Sequence, residues 1–281
     1  MAKERVGVIG PGRMGLAMVR HLVKAGYTVT ATDVNAEQLS KAAAAGAAMA
    51  PTAAEVGRRS DYVIVAVGYD DEVVAVTTGK DGLLDAMKPG GVIAVCSTAA
   101  PATVRDLAAR AEAKGVDVLD APICRGRWSA DEGTLLALVG GKPEVVERSL
   151  PVFRCFCSDI EHLGEIGHGQ VGKAMNNYLL WVNGIALIEA GRLAESTGID
   201  LVKLRRALLM SSGKSAALED WDRMTFTWAQ KDMQIVSRMA DAAGLALPIA
   251  GAIRELVKDG RRIKATNPPD WTGEGGIPMR P

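Results

Sequence analysis

Arg5-Val6-Gly7-Val8-Ile9-Gly10-Pro11-Gly12-Arg13-Met14-Gly15 is the stretch on which the fold turns. Its first six residues read as a short buried strand, Met14 to Ala25 as a helix stopped by Gly26, and Tyr27 to Thr32 as a β-branched strand closed by Asp33. Strand, GxGxxG, helix, strand and acid, in that order, form a dinucleotide-binding fingerprint. Gly10 permits the tight turn, Gly12 lets a pyrophosphate approach the backbone, and Gly15 lets the helix pack on the strand. Pro11, Arg13 and Met14 complete the cofactor-facing turn, and the helix start presents N–H groups and a positive dipole end to phosphates. A carboxylate at Asp33 accepts from ribose hydroxyls and repels a 2′-phosphate. No Arg immediately follows it, so NAD is expected rather than NADP. A glycine-rich turn used for packing alone leaves Asp33 without a task.

Outward from this stretch, the 281 residues balance 33 Lys+Arg against 33 Asp+Glu, and only 4% are aromatic. That excludes a mainly electrostatic nucleic-acid binder and a base-stacking platform. The chain is 48% hydrophobic, enough for a sizeable core. No signal peptide is visible. The most apolar run, Tyr178 to Ile188, is short and carries Asn183, so no membrane partner is expected. Cys96, Cys124, Cys155 and Cys157 form neither a CxxC pair nor a disulfide framework, and with three histidines no metal site is expected. The expected location is cytoplasmic, with reduced thiols.

Strands and helices go on alternating past the fingerprint. Ala36 to Ala45 and Thr103 to Lys114 read as helices; Asp61 to Val67, Val92 to Cys96, Val116 to Asp120 and Leu135 to Val139 read as strands; Pro143 suits the first turn of another helix. This pattern predicts an α/β fold, a Rossmann-type doubly wound, mostly parallel sheet over residues 1–165. Ligands bind such sheets beyond the carboxyl ends of the strands, which singles out Val67-Gly68, Ser97-Thr98 and Ala121 to Arg127. Strand signals then stop. A long helix to Ser196 opens an all-α C-terminal domain over residues 166–281, with Asp200 capping a helix to Met210 and further helices at Trp228 to Ala243 and Pro248 to Lys258. Asn267 to Pro281 reads as an irregular tail.

At the domain junction, Lys173 and Asn177 stand four residues apart and share a helix face. Carbonyl reduction needs a proton at oxygen as well as hydride at carbon, and a lysine ammonium supplies one. On spacing alone, a solvated lysine near a helix start is the favoured reading.

These elements together resemble the β-hydroxyacid dehydrogenases, relatives of 3-hydroxyisobutyrate dehydrogenase. The resemblance rests on Gly10, Gly12 and Gly15; on Ser97-Thr98-x-x-Pro101; on Asp120-x-Pro122 leading to Gly133-Thr134-Leu135; on Gly169, Lys173 and Asn177 as GxxxKxxxN; and on Lys231-Asp232. It covers nearly the whole chain. It implies an NAD-dependent enzyme that interconverts a small acid-bearing alcohol, a 3-hydroxy acid or a sulfonate analogue, and its aldehyde or ketone. Lys173 is implied as general acid/base, Asn177 as substrate positioner, and Thr98 and Lys231 as lining the cofactor or substrate site. Residues 124–126, with Ser97, are implied to hold the substrate's anion, and the C-terminal helices to form a homodimer or homotetramer.

Two departures stand out. Where the family usually carries Ser-Gly-Gly, this chain has Cys124-Arg125-Gly126. Cys124 is a poor donor and reads equally as an apolar filler, while the fixed guanidinium of Arg125 suits an oxyanion, as in the sulfolactaldehyde reductase branch. The alternative pairs Arg125 and Arg127 with Asp131 or Glu132. The segment before Lys231 is short and holds Trp221, Phe226 and Trp228, read as core or dimer contacts or as a pocket wall. Lys258, Arg261, Arg262 and Lys264 read as a solvated helix end. Two other functions share the plan: an imine reductase, against which Lys173 argues, and a non-catalytic NAD-binding protein.

Overall fold

The computed structural model describes residues 3–273, so residues 274–281 of the expected tail lie outside it. The chain divides into two compact units after Lys173. The first runs through β1 (Arg5–Ile9), α1 (Arg13–Lys24), β2 (Thr28–Thr32), α2 (Ala36–Ala44), β3 (Ala48–Met49), α3 (Ala53–Arg59), β4 (Tyr62–Val65), α4 (Asp70–Thr78), β5 (Val92–Val95), α5 (Pro101–Glu112), β6 (Asp117–Asp120), β7 (Ile123–Cys124), α6 (Gly126–Glu132), β8 (Leu135–Gly140), α7 (Pro143–Phe153) and β9 (Cys157–Gly164). A 29-residue helix, α8 (His168–Ser196), starts in the first unit and continues in the second.

The sheet order is β3-β2-β1-β4-β5-β6, all parallel, which is the doubly wound arrangement the alternation predicts. The sheet then changes sense. β8 runs antiparallel to β6 and β7, and β9 runs parallel to β8. The central strands are apolar on both faces because helices cover both. Tyr62 and Ile64 of β4 join one buried layer with Val92 and Ala94 of β5, while Val63, Val65, Ile93 and Val95 join the other. Burying each such Val or Ile is worth about 1.5–3 kcal/mol.

β9 has no counterpart in the sequence reading. Its Asp159, Glu161 and His162 give it a polar pattern, and it is mostly exposed. Pairing with β8 makes it a strand, and charges on an edge strand block further pairing.

In the second unit α8 is followed by α9 (Leu201–Leu209), α10 (Ala216–Glu219), α11 (Ala229–Ala243) and α12 (Pro248–Thr266). Asp200 caps α9 by accepting from Val202 and Lys203 N–H, as expected. Trp221 and Phe226 are buried in this unit's core, with Phe226 against Trp181 at 5.4 Å between ring centroids. Trp228 is exposed, so the three aromatics do not act as one group.

Two expectations about the C-terminal end are corrected. α12 runs on to Thr266 because Val257, Gly260 and Ile263 continue its buried stripe. Lys264 is not part of a solvated end: its ammonium lies 4.0 Å from the Trp221 ring centroid and donates to Trp221 O at 2.6 Å. Burial lowers its pKa to about 8, against the opposing pull of Asp222. Residues 267–273 are irregular, as expected, and they are packed. Trp271 is fully buried and donates to Leu187 O at 3.1 Å, while Pro269 O accepts from Trp221 Nε1 at 3.2 Å. No helix among the described residues is long and apolar enough to cross a membrane.

Candidate active site

The fingerprint folds as a cradle. Gly10 has φ +81°, a conformation L side chains rarely adopt, and its N–H donates to Thr32 O at 3.1 Å. A Cβ on Gly15 would stand 2.3 Å from Gly10 O, which is how closely α1 approaches the end of β1. Gly12 caps α1 without any side-chain hydrogen bond, and a Cβ there would meet nothing within 4 Å. No side-chain cap therefore competes with a pyrophosphate for the first-turn N–H groups of α1. Pro11 is buried, Met14 is half-buried against the core, and Arg13 is exposed. Asp33 stands at the carboxyl end of β2 and accepts from Asn35 N–H at 2.7 Å. Val67 packs on the second buried layer, and the Gly68 N–H donates to Glu72 at 2.7 Å. These residues fit NAD. Asp33→Ala is expected to raise the NADP+/NAD+ ratio of kcat/KM roughly tenfold by removing the charge that repels a 2′-phosphate. An unchanged ratio in initial-rate kinetics counts against that role.

A second set of contacts gathers at the start of α8. The Asp120 side chain ends β6 fully buried and accepts from Gly167 and Gln170 N–H, each at 2.7 Å. It thereby caps backbone groups that the first turn of a helix leaves unpaired. Burial pushes the Asp120 carboxyl above the usual range, and these two N–H bonds pull the other way. The Gln170 side chain is 1% exposed; it donates to Ser97 O at 2.8 Å and accepts from Ala99 N–H at 3.0 Å. Ser97 is buried, with its hydroxyl on Val65 O at 3.3 Å, and Thr98 is half-buried between the two backbone groups that Gln170 holds. Lys173, one turn further along α8, donates to Ile123 O at 2.7 Å and reaches Cys124 Sγ at 3.8 Å. Lys173 is therefore half-buried and anchored, not solvated.

Cys124 is buried; Arg125 and Gly126 are exposed, both in the left-handed region at φ +81° and +70°. Arg125 does not pair with Asp131 or Glu132. Its Nη1 donates to Asp159 at 2.5 Å, Ser158 Oγ at 2.9 Å and Thr134 O at 3.1 Å. Sheet register explains this partner: Cys124 and Asp159 both pair with Leu136, from opposite sides of β8. Two strand spacings, about 10 Å, are within reach of an arginine. Arg127 stacks on Trp128, with its guanidinium 4.8 Å from the ring centroid.

In the second unit Asn177 is buried. Its Nδ2 donates to Asp232 at 2.8 Å, and its Oδ1 accepts from Asn176 Nδ2 at 3.0 Å. Asp232 also accepts from Trp181 Nε1 at 3.1 Å. A carboxylate only accepts, so it fixes which end of the amide faces it. The Lys231 ammonium lies 5.4 Å from the Trp228 ring centroid. The sequence reading gave no roles to Gln170, Asp120, Asp232 or Trp181. The first three lie inside quoted motifs, but their partners are 47 to 73 residues away in the chain.

Comparison with known proteins places this geometry. The family profile described as the NAD-binding domain of 6-phosphogluconate dehydrogenase matches residues 5–164, and that of NADP-dependent 3-hydroxyisobutyrate dehydrogenase matches residues 167–268. The NAD-dependent L-serine dehydrogenase of Pseudomonas aeruginosa is 36% identical over 77% of this chain and 72% of its own. The 2-(hydroxymethyl)glutarate dehydrogenase of Eubacterium barkeri is 34% identical over 76% of this chain and 71% of its own. A structure of Mycobacterium tuberculosis 3-hydroxyisobutyrate dehydrogenase with L-serine superposes with a TM-score of 0.85 at 26% identity, covering 96% of both chains. With the fingerprint, the α8 anchor and these matches together, the chain belongs to the 3-hydroxyisobutyrate dehydrogenase-like β-hydroxyacid dehydrogenases, NAD-dependent oxidoreductases acting on CH–OH groups.

Proposed function

We propose that this enzyme interconverts a 2-substituted 3-hydroxypropanoate and its semialdehyde, with Lys173 moving the proton. The observation that carries the reading is the Lys173 ammonium, held by Ile123 O at 2.7 Å beside the Cys124–Gly126 loop. An ammonium has three N–H donors. Ile123 O and Cys124 Sγ take two, and the third is assigned to the substrate oxygen. In reduction Lys173 gives a proton to the developing alkoxide; in oxidation the amine takes it back. NAD, when bound, accepts or supplies the hydride. Gly10 to Gly15 and Asp33 would hold it, with Thr98 and Lys231 as further contacts. Asn177, one helical turn beyond Lys173, positions the substrate.

The substrate class is supported by the relatives' names. L-serine, 2-(hydroxymethyl)glutarate and 3-hydroxyisobutyrate are all 3-hydroxypropanoates that differ at C2. Arg125, with Cys124, Gly126 and Ser97, is assigned to the acid group; a guanidinium has five donors, so the bond to Asp159 leaves others for an oxyanion. Association into a homodimer or homotetramer belongs to the same reading, supported by exposed Met175, Leu179 and Leu193 on one side of α8.

The test is NADH formation with those three acids and with 2,3-dihydroxypropane-1-sulfonate, a primary alcohol whose only anion is a sulfonate, in wild type and Arg125→Gly. The expected result is turnover of a 3-hydroxypropanoate and a loss of roughly tenfold or more in kcat/KM on losing the guanidinium. Unchanged preference makes Arg125 structural. Preference for the sulfonate moves the substrate class to sulfonates.

A further inference from the structure

We infer that Gln170 is a positioning residue for the reaction, setting the Ser97–Ala99 loop relative to Lys173. The inference rests on the reading of Lys173 as the proton carrier. Three observations lead to it. First, the Gln170 amide uses both ends on one short loop, donating to Ser97 O at 2.8 Å and accepting from Ala99 N–H at 3.0 Å. These two groups flank Thr98, so one side chain fixes the peptide planes on either side of it. Second, Gln170 is 1% exposed and its own N–H is held by Asp120 at 2.7 Å, so side chain and backbone are both tied down. Third, Lys173 follows at i+3 on the same helix. Ser97, Thr98 and Lys173 therefore have their relative positions set through one glutamine. On the far side, Asp70 clamps the same loop, accepting from Ala100 N–H at 2.7 Å and Thr103 Oγ1 at 3.2 Å. The loop is held at both ends, and the Gln170 clamp connects it to the helix of Lys173.

Glutamine suits this task chemically. The loop presents one acceptor and one donor, and a carboxamide presents the complementary pair in one plane. A carboxylate of the same shape satisfies Ala99 N–H but sets oxygen against oxygen at Ser97, unless it carries a proton. Gln170→Glu therefore tests hydrogen-bonding pattern at constant volume, and Gln170→Leu removes both bonds. The titratable and charged groups near the position are Asp120 on β6, Asp70 on α4, Arg105 on α5, and His168 and Lys173 on α8. All of these are common to wild type and variant, so a difference between their pH profiles reports the substituted group.

The experiment compares wild type, Gln170→Leu, Gln170→Glu and Lys173→Ala by steady-state kinetics from pH 5 to 9 and by NADH fluorescence titration. The expected result for Gln170→Leu is a fall of about tenfold or more in kcat and a smaller loss of NADH affinity, because the fingerprint is untouched and Thr98 is the assigned NAD contact on the released loop. Gln170→Glu is expected to keep its highest relative kcat at the acid end and lose it as the introduced carboxyl ionises, a profile a purely structural role does not generate. If Gln170→Leu fails to fold, the pH profile of Gln170→Glu decides. Turnover of Gln170→Glu within twofold of wild type at every pH overturns the inference. Near-wild-type turnover in Lys173→Ala overturns the underlying reading instead, so the two failures are distinguishable.

Discussion

Lys173→Ala is expected to lower kcat by about a thousandfold while leaving NADH affinity within about threefold of wild type. The argument is geometric. The ammonium is the charged group at the start of α8 whose anchors, Ile123 O and Cys124 Sγ, both belong to the strand that leads into the Cys124–Gly126 loop. Removing it takes away the proposed proton carrier but no part of the Gly10–Gly15 turn between β1 and α1. Transfer by a positioned acid or base contributes typically 10²–10⁴-fold, so a fall in that range identifies Lys173 with the chemical step. Lys173→Arg separates charge from chemistry: it keeps a cation but cannot give up its proton, and its turnover is expected to stay near that of Lys173→Ala. A drop in NADH affinity with unchanged kcat, read by fluorescence titration and stopped flow, assigns the lysine to binding.

The parts of this arrangement that the sequence discloses are local, and the parts it hides are long-range. GxGxxG and Asp33 are readable because turn, helix start and acid lie within one β-α-β unit, so each residue's task follows from its neighbours. The two-sided burial of β4 and β5 follows from their unbroken apolar runs, since helices cover both faces. Arg125 is different. Its neighbours in sequence include Asp131 and Glu132, but its partner is Asp159, delivered by a strand whose polar pattern hides it and whose register only the folded sheet defines. Lys264 is a similar case: a basic residue near a helix end reads as solvated, and only the fold puts Trp221 beneath it. Gln170 and Asp232 stand inside recognisable motifs. Their work is done on Ser97, Ala99 and Asn177, dozens of residues away, and spacing along the chain carries no information about those contacts.

Gly169→Ala is expected to destabilise the first unit by about 3 kcal/mol and to reduce turnover with it. The same substitution at Gly12 is expected to leave stability unchanged and weaken NADH binding tenfold or more. The contrast follows from what a methyl group meets. At Gly169 it would stand 2.3 Å from Leu138 O, 2.8 Å from Asp120 O and 2.9 Å from Asp120 Oδ2. Two of these are backbone atoms, one within β8 and one at the end of β6, and the third is the carboxylate that caps α8, so no flexible side chain can yield. The helix start must retreat, and the Asp120 bonds to Gly167 and Gln170, each 2.7 Å, lengthen with it. Lys173 lies one turn along, and its 2.7 Å contact with Ile123 O depends on the same approach. At Gly12 a methyl meets no protein atom within 4 Å, so the apo fold is indifferent; the space it fills is the space assigned to the pyrophosphate. Urea denaturation followed by circular dichroism separates the two, with a lowered midpoint for Gly169→Ala and an unshifted one for Gly12→Ala. If both variants keep the wild-type midpoint, the tight packing of α8 against the strand ends is not what holds Lys173 in place.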